Sequence, residues 1–78
     1  MQKQFILYGT SACHLCDDAE QMINSFTNAR YTKKDIVEHD ALLERYGLLI
    51  PVFRCIETGS ELNWPFNAST LENFINGQ

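Results

Sequence analysis

The chain predicts an α/β domain in which a four-stranded mixed sheet carries helices on both faces, and three observations predict it. A continuously apolar run, Phe5-Ile6-Leu7-Tyr8, reads as a central strand covered on both sides. A stretch of helical periodicity follows it after a short break. Later, two runs of strand formers flank Glu57-Thr58-Gly59-Ser60 and read as a hairpin. With 78 residues, 45% of them hydrophobic, there is material for one core, so residues 1–78 are expected to form a single domain.

Taken in order, Gly9-Thr10-Ser11-Ala12 breaks the first strand. From His14 to about Asn28, Leu15, Ala19, Met22, Ile23 and Phe26 recur at steps of three and four, with Asp17, Asp18, Glu20 and Gln21 turned away. The acidic first turn also suits the helix dipole. Tyr31 to Val37 is rich in strand formers, and Lys33 and Lys34 mark it as an exposed edge. Asp40 is expected to cap a short helix holding Leu42, Leu43 and Tyr46, which Gly47 ends in a left-handed conformation. Val52, Phe53, Cys55 and Ile56 form the strand after Ile50-Pro51, and Glu61 to Trp64 returns beside it until Pro65. Ser69-Thr70-Leu71-Glu72 matches a capping box, and Leu71, Phe74 and Ile75 give the last helix its buried side.

The order is therefore βαβαββα. A right-handed crossover through the first helix makes the first two strands parallel neighbours, and the hairpin extends the sheet antiparallel. The first and third helices then cover one face and the second helix the other.

Charge narrows the partners. A net charge of −4 repels nucleic acid phosphates and anionic lipid, and leaves a neutral or thiol-bearing partner easier to accommodate. No segment approaches the roughly 20 apolar residues that a membrane span needs, and Met1-Gln2-Lys3-Gln4 leads into too short an apolar run for a signal peptide. These features predict a soluble, cytoplasmic monomer. Three cysteines, an odd number, fit reducing surroundings better than a secreted disulfide framework.

Two of those cysteines carry the chemistry. Cys13-His14-Leu15-Cys16 lies at the junction between the first strand and the first helix, where a Cys-x-x-Cys reads as a site for thiol–disulfide exchange. Unpaired backbone N–H groups at the helix start lower the pKa of Cys13 from the free value of about 8.5, which makes it the attacking thiolate. Cys16, one turn later on the same side, is placed to attack a mixed disulfide at Cys13 and release the reduced partner. His14 can tune the pair as a cation or as a neutral hydrogen-bonding group, the helix dipole opposing the cation, or can be an exposed side chain without a role. Cys55, a lone cysteine in an apolar strand, reads as a small core residue, with a second disulfide or a glutathionylated state as the alternative if it is accessible. Trp64 and Phe66 read equally as core or as an apolar lip near the site.

Leu7-Tyr8-Gly9-Thr10-Ser11-Ala12-Cys13-His14-Leu15-Cys16, followed by Tyr46-Gly47, Ile50-Pro51-Val52 and Trp64-Pro65-Phe66, resembles the glutaredoxin-like members of the thioredoxin superfamily, in particular short proteins with a Cys-His-Leu-Cys motif. The resemblance covers nearly the whole chain. It implies a minimal thioredoxin fold, a redox-active Cys13/Cys16 centre serving cell redox homeostasis, and a cis peptide bond at Ile50-Pro51 opposite the cysteines. It also implies that the Ile50 backbone pairs with an extended substrate, that glutathione is the co-substrate, and that no cofactor is tightly bound. Thr10 stands where glutaredoxins commonly carry a basic residue, Trp64-Pro65-Phe66-Asn67-Ala68-Ser69 replaces their Gly-Gly pair, and no proline separates the two cysteines. The start of the last helix, with Ser69 and Thr70, offers N–H groups to a carboxylate if Ser69 is not simply the cap.

Three functions fit these residues: a dithiol oxidoreductase acting on glutathione mixed disulfides or a protein partner, a metal or iron–sulfur binder using Cys13 and Cys16, and a non-catalytic peptide-binding module. An intrachain zinc site has weak support, because a second Cys-x-x-Cys or a His pair at ligand spacing is missing.

Overall fold

The computed structural model describes residues 3–78; Met1 and Gln2, the start of the predicted N-terminal lead-in, lie outside the described residues. Strand β1 (Gln4–Gly9) runs through the middle of a four-stranded sheet ordered β2-β1-β3-β4, parallel to β2 (Arg30–Asp35) and antiparallel to β3 (Val52–Cys55). β4 (Glu61–Asn63) closes the other edge against β3. The helices are α1 (His14–Phe26), α2 (Asp40–Tyr46) and α3 (Ala68–Asn76). This is the α/β thioredoxin-like arrangement expected from the element order, with β2 at an edge as its lysines imply.

Alternation along the central strands divides the interior into two layers. Phe5 and Leu7 of β1, with Phe53 and Cys55 of β3, face Ala19 and Ile23 of α1 and Leu71 of α3. Tyr8 of β1 and Val52 of β3 face the other way, onto Tyr46 of α2 and Ile36. Each layer is pinned by an aromatic stack, Phe5 on Phe53 at 4.8 Å and Tyr8 on Tyr46 at 4.4 Å between ring centroids. The α2 layer also carries a polar anchor. Tyr46 donates its hydroxyl to Glu61, and Arg54 approaches the same carboxylate at 2.9 Å and the hydroxyl at 3.3 Å. Burial pushes the Glu61 carboxyl up, but the hydrogen bonds from Tyr46 and Arg54, with the charge of Arg45, outweigh it and hold the group below its ordinary value.

Several local expectations give way to the geometry. The buried stripe of α1 is Cys16, Ala19 and Ile23, while Leu15 is 48% and Phe26 60% exposed. At the start of the helix it is the Cys16 side chain, packed against Gly9, that faces the sheet in place of Leu15. Phe26 is the last residue of the helix, which ends there and not near Asn28, with the Thr27 N–H closing onto the Ile23 carbonyl. β2 stops at Asp35, whose carboxylate accepts the Val37 N–H at 3.0 Å and starts a single 3-10 turn at Ile36–Glu38. Asp40 is the first helical residue of α2 and not its cap. Gly47 is right-handed at φ −52°; glycine is needed because a Cβ would lie 2.5 Å from the Leu43 carbonyl oxygen. Gly59, at φ +77°, supplies the left-handed residue in the hairpin turn. β3 and β4 are each a residue shorter than expected, ending at Cys55 and Asn63. The capping box of α3 lies two residues earlier than expected: Asn67 accepts the Thr70 N–H, and the Thr70 hydroxyl accepts the Asn67 N–H, both at 2.9 Å. No helix among the described residues is long and apolar enough to cross a membrane.

Glu61→Gln should lower stability by about 1 kcal/mol at pH 7, since it removes the charged acceptor of a partly buried pair. The native pKa is depressed, so this contribution is present above the ordinary carboxyl value and lost as pH falls through the depressed one. Denaturant melts of both proteins should therefore begin to draw together only as the pH falls below the ordinary carboxyl value of about 4.3.

Candidate active site

The chain leaves β1 at Gly9, turns through Thr10 and Ser11, and passes through Ala12 in a left-handed conformation at φ +59°. A left-handed alanine is uncommon, and such conformations persist where the surroundings fix them. It delivers Cys13 in extended backbone (φ −103°, ψ 105°) as the N-cap of α1. The Cys13 Sγ accepts the backbone N–H of Cys16 at 3.2 Å, the position an N-cap oxygen usually fills.

Cys13 and Cys16 are joined as a disulfide, with 5.2 Å between their Cα atoms. Cys13 is half-buried, whereas Cys16 is only 7% exposed. Cys13 is thus the more open residue of the pair and Cys16 the more enclosed. Gly9 makes the close packing possible, because a Cβ there would fall 3.0 Å from the Cys16 Sγ and 3.2 Å from its Cβ.

The remaining predicted residues are distributed around this pair. The His14 side chain is 88% exposed and approaches Asp18 across one helical turn at 3.6 Å. Ile50-Pro51 is cis, and Pro51 is buried. The β1–β3 ladder pairs Tyr8 with Val52, so Pro51 lies at the same end of the sheet as Gly9 and the cysteines. Ile50 packs on the α2 layer, and its N–H is committed to the Tyr46 carbonyl at 3.1 Å; substrate pairing there would run through the Ile50 carbonyl alone. Ser69 is exposed on the first turn of α3, where Asn67 takes the capping role. Trp64-Pro65 is a second cis bond, which the sequence did not suggest; Phe66 is core, and Trp64 packs edge-on against it at 5.0 Å. Cys55 is completely buried, in keeping with a core role.

A cleft of about 270 Å³ opens beside Cys16 between the start of α1 and β2. Thr10 and Ser11 line one end, Asp17 and Glu20 come from α1, and Lys33, Lys34 and Asp35 come from β2. Lys33 pairs with Glu20 at 3.0 Å, and that hydrogen bond raises the Lys33 pKa. The sequence marks these lysines as edge-strand residues but not as neighbours of the cysteines. The parallel register of the folded sheet, which sets Lys33 opposite Leu7, is what places it on the α1 face. Among the described residues no group of three or more His, Cys, Asp or Glu side chains converges as a metal site requires.

Gly9→Ala should destabilise the oxidised protein by about 1–3 kcal/mol, because the added methyl meets a sulfur that the disulfide prevents from turning aside. In the reduced protein Cys16 is free to rotate, and the penalty should be smaller. Thermal melts of both redox states measure the difference.

No functionally curated protein matches the chain. Among solved structures, the XcR50 protein of X. campestris is similar over 95% of this chain and 97% of its own, at 34% identity and a TM-score of 0.88. The Ne2328 protein of Nitrosomonas europaea is 16% identical with a TM-score of 0.75, over 96% of this chain and 93% of its own, a likeness of fold. So is the match to a chain from a structure concerning thiol resolution in yeast mitochondrial 1-Cys peroxiredoxin via glutathione/thioredoxin systems, at 17% identity and a TM-score of 0.68, over 99% of this chain and 79% of that one. The family model described as Glutaredoxin-like domain (DUF836) matches residues 4–76, and with its cysteine pair at the junction of β1 and α1 the chain belongs to this glutaredoxin-like family.

Proposed function

We propose that the protein is a small thiol–disulfide oxidoreductase that works through Cys13 and Cys16. The observation that carries this reading is the position of Cys13, half-buried at the N-cap of α1, with its sulfur accepting the Cys16 N–H at 3.2 Å. A thiolate in that position is stabilised by the helix N-terminus and by a hydrogen bond that favours the charged form. In the reduced protein Cys13 attacks a partner disulfide and forms a mixed disulfide. Cys16, shielded behind it, then attacks the Cys13 sulfur, and the partner leaves reduced.

Glutathione mixed disulfides and a protein disulfide are the substrate classes this chemistry serves. Thr10 brings no charge to hold a glutathione carboxylate, so any glutathione recognition falls to the Ile50 carbonyl, Pro51 and the start of α3 near Ser69. His14, exposed beside Cys13 and 3.6 Å from Asp18, is the side chain that tunes the pair. We assign the reaction to a monomer in the reducing cytoplasm, where an odd cysteine is kept as a buried thiol.

Alkylation of the reduced protein by iodoacetamide should show one thiol half-reactive between about pH 3.5 and 7.5, well below a free cysteine. Cys13→Ser should abolish exchange, and Cys16→Ser should accumulate a stable mixed disulfide whose bound species identifies the partner by mass. A Cys16→Ser protein that turns over like the wild type and traps nothing would sink the dithiol mechanism. A slow alkylation profile without a low-pH step would favour a binding module instead.

A further inference from the structure

We infer that Glu61 is a positioning residue for exchange with extended chains: through the Tyr46 hydroxyl it holds the Ile50 carbonyl where a substrate backbone can pair with it, at the cysteine end of the sheet. This rests on the reading above, in which that carbonyl is the backbone group left free for the substrate. Helix α2 is only seven residues long, too short to hold its own place, so its position comes from tertiary contacts. In the turn that follows, Leu48 is fully exposed and Leu49 half exposed, so burial does not anchor it. The N–H groups of Leu49 and Ile50 instead close onto one acceptor, the Tyr46 carbonyl, at 2.8 and 3.1 Å. Ile50 also packs on the layer to which Tyr46 belongs. The position of Tyr46 is therefore passed directly to Ile50.

Tyr46 is 2% exposed, its ring stacked on Tyr8 at 4.4 Å and overlaid by the Arg45 guanidinium at 5.1 Å. A buried tyrosine needs a partner for its hydroxyl, and β4 supplies one. Glu61 stands directly opposite Arg54 in the β3–β4 ladder, which turns both side chains to the same face of the sheet, the one that α2 covers. Its carboxylate accepts the Tyr46 hydroxyl and, at 2.9 Å, an N–H of Arg54, while Arg45 approaches it at 3.6 Å. Tyr8 immediately precedes Gly9, so Tyr46 joins the edge strand β4, the segment leading to Pro51 and the strand that ends at the cysteines. With Glu61 cut back to alanine the hydroxyl loses its acceptor. It turns toward water, and the Tyr46 carbonyl and the two N–H groups bound to it move with the ring.

The step that this arrangement serves is the first one. The Cys13 thiolate attacks a sulfur of the substrate disulfide, the substrate S–S bond breaks, and its electron pair departs with the leaving thiolate. A substrate held by its backbone presents its sulfur in a fixed orientation. A small disulfide without a backbone gains nothing from the Ile50 carbonyl, so loss of Glu61 should separate the two kinds of substrate.

The test follows thionitrobenzoate release from two probes mixed with reduced protein in a stopped-flow instrument. One is 5,5′-dithiobis(2-nitrobenzoate), which has no peptide backbone; the other is a short neutral peptide whose central cysteine carries thionitrobenzoate as a mixed disulfide. Variants are compared at a temperature where circular dichroism shows each of them folded. Glu61→Ala should slow the first phase with the peptide about fivefold, the worth of one hydrogen bond, and leave the small probe within about twofold of the wild type. Glu61→Gln loses the same charge but keeps an acceptor for Tyr46, and should stay within about twofold of the wild type on both probes. Tyr46→Phe should match Glu61→Ala, and the two together should cost no more than either alone. Glu57→Gln, in the hairpin turn beside the start of β1, should match the wild type. Equal slowing of both probes in Glu61→Ala, or no slowing with the peptide, overturns the inference. So does a Glu61→Gln protein as slow as Glu61→Ala, or a Tyr46→Phe protein as fast as the wild type. N-methylation of the peptide amides that flank the cysteine tests the underlying reading separately: if the wild type takes the methylated peptide as fast as the plain one, the Ile50 carbonyl does not hold substrate, and that reading fails and takes the inference with it.

Discussion

Gly9 ends β1 at the point where α1 begins to bury its first side chain, and the missing Cβ there sets how closely the helix approaches the sheet. Cys16 fills that space, and a methyl in place of the glycine hydrogen would stand 3.0 Å from its sulfur. With Cys16 held against the strand, Cys13 falls at the helix cap, and Ala12 has to take up a left-handed conformation to join the two elements. Close packing leaves few alternatives in such a place, because interiors at crystal-like density do not absorb an extra methyl without displacing a neighbour. The relation between the two sulfurs is thus set by the sheet end and not by the four-residue motif alone.

The two faces of the sheet divide the work. On the α2 side, Tyr46, Arg54 and Glu61 knit the second helix to β3 and β4 through charged hydrogen bonds that are partly shielded from water. On the α1 side, the Lys33–Glu20 pair joins an exposed lysine to a half-buried carboxylate and contributes little to stability at that exposure. Its effect is positional, fixing a carboxylate one turn along the helix from the buried sulfur. A chain with a net charge of −4 still presents mixed charge beside its cysteine pair.

The architecture was legible because its signals are periodic. An uninterrupted apolar run marked the central strand, lysines marked the edge, and the order of elements left few ways to assemble the sheet. Local endings were less legible, since several residues with similar capping ability compete and tertiary contacts choose between them. Asn67 prevailed over Ser69 because the chain leaves β4 through Trp64 to Phe66, with Phe66 buried in the core, and α3 begins directly after it. Gly47 and the α1 stripe were misread for a related reason: each depended on what lay across from it, the Leu43 carbonyl in one case and Gly9 in the other. The cysteine pair could be read from its junction position. The cleft beside it could not, because it is formed by residues from two elements whose register only the folded sheet defines.

Cys55 lies sealed in the layer between the sheet and α1, beyond the reach of oxidants that meet the folded surface. Cys13 and Cys16, by contrast, lie at the end of the sheet and are closed into a ring with each other. Once the fold is lost the third sulfur is uncovered with no fixed neighbour, and covalent clumping between chains becomes chemically open. Integrity of the interior is in this way what keeps the third sulfur apart from the other two.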